Sequence, residues 1–120
     1  MNTISIRGAI TVDDNTEESI LSSTIELLTT IENENKLKKN DVICILFTAT
    51  KDLNAVYPAK AARILEYTQC SLMCLQEMDV EGSLSKCIRV LILCVSEMNQ
   101  DEAKHVYLKD AKILRPDLSN

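Results

Sequence analysis

The sequence predicts a mixed α/β (α+β) fold, one small domain over residues 1–120 with a twisted mixed sheet and flanking helices. Three observations carry this. Stretches of β-forming residues alternate with stretches of helical period. At 120 residues the chain can bury one core and not two. Its 46% hydrophobic and 26% charged residues are ordinary for a globular protein and exclude low-complexity disorder.

The first strand is Ile4 to Val12, ISIRGAITV, with Ile4, Ile6, Gly8, Ile10 and Val12 on one face and Ser5, Arg7, Ala9 and Thr11 on the other. Asp13, Asp14 and Asn15 break it. Thr16, with Glu18 and Ser19, opens a helix whose acidic first turn suits the positive end of the helix dipole. Ile20, Leu21, Thr24, Leu27, Leu28 and Ile31 recur at helical spacing, so this amphipathic helix runs to about Asn35. Val42 to Thr50, VICILFTAT, is a nearly continuous apolar run, which predicts a strand buried on both faces. Lys51 to Tyr57 forms a loop, and Pro58 starts a short helix from Ala59 to about Glu66. Cys70 to Leu75 is a short third strand, followed by a polar stretch, Gln76 to Ser83. Ser85 to Val95, SKCIRVLILCV, is the fourth strand and the most apolar segment. Glu97 to Ala103 is a connection with helical potential, His105 to Leu108 a short strand, and the tail Ile113 to Leu118 closes the domain.

Eighteen acidic and thirteen basic residues give a net charge of −5, and only 3% of residues are aromatic, which argues against a nucleic-acid partner. The cations are nine Lys, mostly on solvated helices and turns, and four Arg (Arg7, Arg63, Arg89, Arg115) that mostly interrupt or border apolar stretches. The odd number of cysteines, Cys44, Cys70, Cys74, Cys87 and Cys94, suits reduced, buried thiols in a cytoplasmic chain. Cys70 and Cys74 lack the second pair or His cluster of a zinc site, and as a redox switch they rank low. The N-terminus lacks the pattern of a signal peptide, and the longest apolar run, Val90 to Val95, is far short of the roughly 20 residues that span a bilayer. The expectation is a soluble cytoplasmic protein.

Arg89 is the most informative residue. It sits among Cys87, Ile88, Val90, Leu91 and Ile92, where a guanidinium needs an anion or water. An internal ion pair, the wet face of a sheet and a receptor for an anionic ligand all answer that need. Arg7 repeats the pattern in another strand, beside Gly8, which allows close approach to the backbone. Two strand-borne arginines favour a carboxylate or phosphate site. Lys60 and Arg63 share one side of the short helix, and Glu77 falls in the loop after the third strand. His105, the only histidine, reads as structural. Nucleophile elbow, phosphate-cradling loop and metal box are all missing from the sequence, so no cofactor and no metal are expected.

The segments IRGAITV (Ile6 to Val12), TEESIL (Thr16 to Leu21), the run from Thr48 to Arg63, CLQEMDV (Cys74 to Val80), KCIRVLILC (Lys86 to Cys94), HVYL and LRPDL resemble the monofunctional chorismate mutases of the Bacillus, or AroH, type, in order and over essentially the whole chain. The resemblance implies a homotrimer with a pseudo-barrel core and three active sites at subunit interfaces. It implies isomerisation of chorismate to prephenate by an intramolecular Claisen rearrangement, in aromatic amino acid biosynthesis, without cofactor, metal or covalent intermediate. A pericyclic step needs a held geometry and an electrostatic complement to the transition state, not an acid, base or nucleophile.

By resemblance, Arg89 is the arginine that donates to the ether oxygen as the carbon–oxygen bond breaks. Arg7 and Tyr107 resemble the pair that holds a substrate carboxylate; Glu77 and Cys74, by main chain and thiol, resemble the groups that bind the ring hydroxyl. Met73, Cys74, Leu75, Gln76 and Glu77 form the pocket floor. Tyr57, Ala59, Lys60, Arg63, Leu114 and Arg115 resemble mouth and lid residues, with Lys60, Arg63 and Arg115 supplying positive potential for a dianion. The connection from Arg63 to Cys74 is one residue shorter than the family pattern and lacks its glycine and tryptophan. Met73 stands where a threonine is familiar, which leaves the main chain as the hydrogen-bonding group there. The alternative function is a non-catalytic trimeric small-anion binding or regulatory protein, which has no need of a carboxylate such as Glu77 facing a hydroxyl.

Overall fold

The computed structural model describes residues 1–115. Five strands, β1 (Asn2–Thr11), β2 (Val42–Ala49), β3 (Ser71–Gln76), β4 (Cys87–Ser96) and β5 (Val106–Leu108), form one sheet in the order β3-β2-β4-β1-β5. β4 runs antiparallel to both β1 and β2, whereas β3 lies parallel to β2 and β5 parallel to β1, so the sheet is mixed as the sequence predicts. The long helix α1 (Glu17–Asn35) and the short helix α2 (Ala59–Ile64) lie against it.

Local chemistry sets these boundaries. Thr16 is extended and its hydroxyl accepts the Ser19 N–H at 3.1 Å, so Thr16 caps α1 from outside and Glu17 is its first residue. Lys36 closes the helix in the left-handed conformation, its N–H returning to the Glu32 carbonyl. The α1 face carrying Ile20, Leu27, Leu28 and Ile31 packs on Ile4, Ile6 and Ile10 of β1, Ile45 and Phe47 of β2, and Ile88, Val90 and Ile92 of β4. Each of these side chains contributes roughly 1.5–3 kcal/mol on burial. Thr24 and Asn35 are buried in the same face without an orphaned group. The Thr24 hydroxyl donates to the Ile20 carbonyl, and the Asn35 side chain donates to the Ile31 and Lys104 carbonyls and accepts the Lys104 N–H.

Gly8 explains how closely helix and sheet approach. A Cβ there would stand 2.8 Å from Ile31 Cδ1, 3.1 Å from Leu27 Cδ1 and 3.2 Å from the Val106 carbonyl oxygen. The group that comes close to the backbone at Gly8 is therefore α1, on the face opposite the Arg7 side chain.

The second strand differs from its sequence reading. Val42, Ile45 and Phe47 are buried under the helices, but Ile43 is 46% exposed and Cys44, Leu46 and Thr48 are half-buried on the other face. A register shift between Val42 and Cys44 puts Ile43 in a bulge, which explains why Val42 and Ile45, three apart, share one face. The continuous apolar run thus has two apolar faces, of which the described residues cover one. On the outer face, away from α1, stand Met73 (57% exposed), Leu75 (47%), Leu46, Leu91, Leu93 and Val95. Among the described residues one end of it is covered, by a 3-10 segment (Lys109–Leu114) whose Ala111 packs with Ala9, Cys87 and Tyr107.

Smaller departures have local causes. α2 stops at Ile64, and Glu66 turns left-handed beyond it. The third strand starts at Ser71 and reaches Gln76, and the connection after β4 makes a single 3-10 turn, Gln100–Glu102, closed by a reciprocal cap between Asn99 and Glu102. The expected closing tail, Ile113 to Leu118, lies beyond residue 115 for its last three positions. Among the described residues no helix is long and apolar enough to cross a membrane.

Candidate active site

The outer face gathers charge at the end of the sheet where β4, β1 and β5 run side by side. Ala9 pairs with Arg89 across β1–β4 and with Tyr107 across β1–β5, and Arg7, two residues back, points to the same side. Arg7 is thus a diagonal neighbour of both, at about 7–8 Å across the ladder. Tyr107 is buried against Ala9, Cys87 and Ala111, with Leu114 packed alongside.

Arg89 has an anion. Its Nε lies 3.2 Å from Glu77 Oε1, with the guanidinium about half-exposed and the carboxylate about a quarter exposed. Two of the possibilities left by the sequence hold together: Arg89 is ion-paired, and it stands on the uncovered face. Glu77 reaches it because its N–H extends the β2–β3 ladder to the Ala49 carbonyl at 2.9 Å, which carries the residue one step past Gln76 and onto the outer face. The Thr48 hydroxyl donates to the same Oε1 at 2.7 Å.

The start of β4 is anchored two residues before Arg89. Asp52 accepts the Lys86 N–H on both carboxylate oxygens, at 3.0 and 3.1 Å, and takes the Thr50 hydroxyl as well, while Thr50 Oγ1 accepts the Cys87 N–H at 3.0 Å. Lys86 takes the left-handed conformation in this clamp. Burial pushes the Cys87 thiol up to about 11, against the pull of the neighbouring Arg89 charge, so Cys87 stays protonated beside the ion pair.

His105 fixes the strand edge beside Arg7. Its Nδ1 accepts the Arg7 N–H at 2.9 Å, the structural role expected of it. Burial holds the imidazole below its ordinary range, and the charges of Arg7 and Arg115 hold it lower still. The Arg7 and Arg115 charges thus both act on the His105 imidazole, although the chain as a whole is acidic.

The remaining expected site residues lie elsewhere. A cleft of about 600 Å³ opens between the β2–α2 loop and β3, lined by Leu53, Tyr57, Pro58, Cys74, Leu75 and Gln76 among others. Cys74 is half-buried; burial raises its thiol, and the Ala59 backbone and Arg63 charge oppose that rise. Ala59 is buried at the first turn of α2, Tyr57 is well exposed at the rim, and Lys60 is held by Glu17 of α1 at 2.9 Å. Met73 points to the outer face, as Leu75 does, but unlike Leu75 it does not line the cleft. Arg7, Arg89, Tyr107 and Glu77 line no part of the cleft. Three inter-strand steps, about 14 Å, separate β3 from β1. Within one chain the expected residues fall into two groups, one on the outer face around Arg89 and one around the cleft, with Glu77 next in sequence to the cleft residue Gln76.

Sequence reasoning missed Thr48, Asp52, Glu17 and Asn15. The Asn15 amide oxygen accepts the Asn54 and Ala55 N–H groups and so holds the loop that rims the cleft. Thr48 carried a faint signal, a hydroxyl in an otherwise apolar strand; the others depend on contacts 34 to 43 residues away in sequence, or on turn geometry. Among the described residues no three His, Cys, Asp or Glu side chains gather as a metal site.

Comparison with known proteins settles the family. Residues 3–118 match chorismate mutase type I. The chain belongs to the type I chorismate mutase family. It is 51% identical over 115 residues to chorismate mutase AroH of Bacillus subtilis, covering 95% of this chain and 91% of that protein, and 41% identical over 116 residues to chorismate mutase AroH of Thermus thermophilus, covering 96% and 95%. A solved chorismate mutase from Clostridium thermocellum superposes with a TM-score of 0.89 at 48% identity, covering 91% of this chain and 97% of that one. Membership of this family makes the chain an isomerase, a chorismate mutase of the α+β type with one mixed five-stranded sheet.

Proposed function

We propose that this chorismate mutase works as a homotrimer, each active site being completed where the outer-face half-site of one copy meets the cleft of the next. The observation that carries the reading is the ion pair of a half-exposed Arg89 with Glu77 on the outer sheet face that also bears Arg7 and Tyr107, while Cys74 and Tyr57 line a cleft that none of these four lines, with the Arg63 charge acting on Cys74. The exposed apolar surface of Met73, Leu75 and Ile43 supports an association that turns the outer faces inward as a barrel-like core. Five free thiols, two of them fully buried, suit a cytoplasmic setting.

The reaction converts chorismate to prephenate within one molecule: the ether carbon–oxygen bond breaks as a carbon–carbon bond forms, and no proton or electron leaves the substrate. Negative charge grows on the ether oxygen. Arg89 answers it with a guanidinium already fixed by Glu77, so little reorganisation accompanies the bond change. Arg7 and Tyr107 hold one carboxylate, and the fork of Arg7 suits a planar anion. Glu77 and Cys74 take the ring hydroxyl, Cys74 as a neutral thiol and through its main chain. Met73, Leu75 and Gln76 contribute the floor, with Met73 contributing backbone only. Tyr57, Ala59, Lys60, Arg63, Leu114 and Arg115 form the mouth, where the cations draw in a dianion and disfavour its extended conformers.

The test is the loss of chorismate absorbance on adding the purified protein, with Glu77→Ala as the control. Steady conversion by the parent and a loss of at least about 10²-fold in Glu77→Ala are expected. A protein that binds chorismate and leaves its absorbance unchanged is an anion-binding trimer, and the catalytic reading fails.

A further inference from the structure

We propose that Thr48 is a positioning residue that sets the Glu77 carboxylate for its work on Arg89 and the substrate hydroxyl, an inference that rests on the role given to Glu77 above. Thr48 stands opposite Arg89 across β2–β4 and opposite Leu75 across β2–β3, so its side chain shares the outer face with both. Its hydroxyl donates to Glu77 Oε1 at 2.7 Å, and the same oxygen lies 3.2 Å from Arg89 Nε. One carboxylate oxygen is thereby met from two adjacent strands, by a hydroxyl donor and by a guanidinium.

The arrangement solves a specific problem. Glutamate has three rotatable side-chain bonds, and Glu77 sits just past the end of β3, where the backbone alone does not choose a rotamer. Threonine is the opposite kind of side chain: β-branched, stiff about its first bond, and at home in a strand. It presents its hydroxyl at a fixed point of the sheet. The neighbouring outer-face position on β2 is Leu46, so packing alone is served as well by a methyl as by a hydroxyl. The oxygen of Thr48 is where the chain spends polarity, and Glu77 is what it touches.

Thr48→Val removes the hydrogen bond and keeps the branched shape; Thr48→Ser keeps the hydroxyl. A lost hydrogen bond to a charged group predicts a fall of about ten-fold in kcat/KM for Thr48→Val. The fall resides mainly in kcat, because the cations that hold the substrate carboxylates are untouched. Thr48→Ser restores turnover to near the parent value. Thr48→Val in a Glu77→Gln background adds little further loss, because Thr48 acts through that carboxylate. Thermal unfolding monitors the fold of each variant, and Thr48→Ala replaces Thr48→Val in the comparison if valine disturbs the sheet. Parent-like kinetics in Thr48→Val beside an impaired Glu77→Gln overturns the inference while leaving the role of Glu77 intact. An equal Thr48→Val loss with and without the Glu77 carboxylate also overturns it. Parent-like activity in Glu77→Gln overturns the role of Glu77, and the positioning role of Thr48 with it.

Discussion

Arg89→Ala removes the guanidinium whose Nε lies 3.2 Å from Glu77 Oε1 on the uncovered face of the sheet. Stability and catalysis respond very differently to that loss. The guanidinium is about half-exposed and its partner about a quarter exposed, so the ion pair is partly screened and contributes at most about 1 kcal/mol to folding. Alanine in place of a long side chain on a strand costs a further fraction of about 1 kcal/mol. Against a typical total of roughly 5–15 kcal/mol, the fold survives. Turnover loses a preorganised charged donor at the atom where charge develops, which costs of order 10² to 10³ for a neutral donor and more for a charged one. Arg89→Lys returns the charge without the planar fork and falls between the two. Chorismate consumption gives the rate, and denaturant unfolding gives the stability. Conversion by Arg89→Ala within about ten-fold of the parent would refute electrostatic stabilisation by this residue. Unfolding of Arg89→Ala under parental conditions would show instead that Arg89 is chiefly a structural ion-pair partner.

Other perturbations follow from the same contacts. Gly8→Ala puts a Cβ against Ile31, Leu27 and the Val106 carbonyl, and is expected to destabilise by about 1–3 kcal/mol in denaturant unfolding, with partial recovery in Gly8→Ala/Ile31→Val, which removes the nearest atom; full stability of Gly8→Ala would mean that α1 sits farther from the sheet. His105 has a folded pKa below its unfolded value near 6.5, so the unfolded chain takes up the proton first. Stability is full above about pH 7 and declines as pH falls through about 6.5 toward the lower folded value. His105→Asn, whose amide oxygen can still accept the Arg7 N–H, flattens this stretch of the stability–pH curve, and an unchanged slope would contradict the assignment.

The parts of the fold that depend on neighbours in sequence were legible. Thr16 as a cap, the apolar stripe from Ile20 to Ile31 and Pro58 ahead of α2 are local signals, and they stand where the sequence puts them. Register and strand order were not legible. Nothing in VICILFTAT marks Ile43 as a bulge, because a bulge depends on what the strand pairs with. The partner of Arg89 was likewise hidden: β2 lies between β3 and β4, and only that order brings Glu77 and Thr48 to Arg89. Identity of the site residues came from resemblance. Their division into two groups, which the proposal reads as two half-sites, came from the sheet order, which no motif records.

That division is the central claim, and mixing two variants tests it. Arg89→Ala disables the outer-face half and Arg63→Ala the cleft half, each in every copy of a pure trimer. When the two variants are unfolded together in equal amounts and refolded, random assembly returns about a quarter of the sites with both halves intact. The account predicts that the mixture recovers up to about a quarter of parental turnover, far above either variant alone. Activity no greater than the average of the two pure variants, with mixed trimers demonstrated to form, would place both arginines in a site built by a single chain and contradict it.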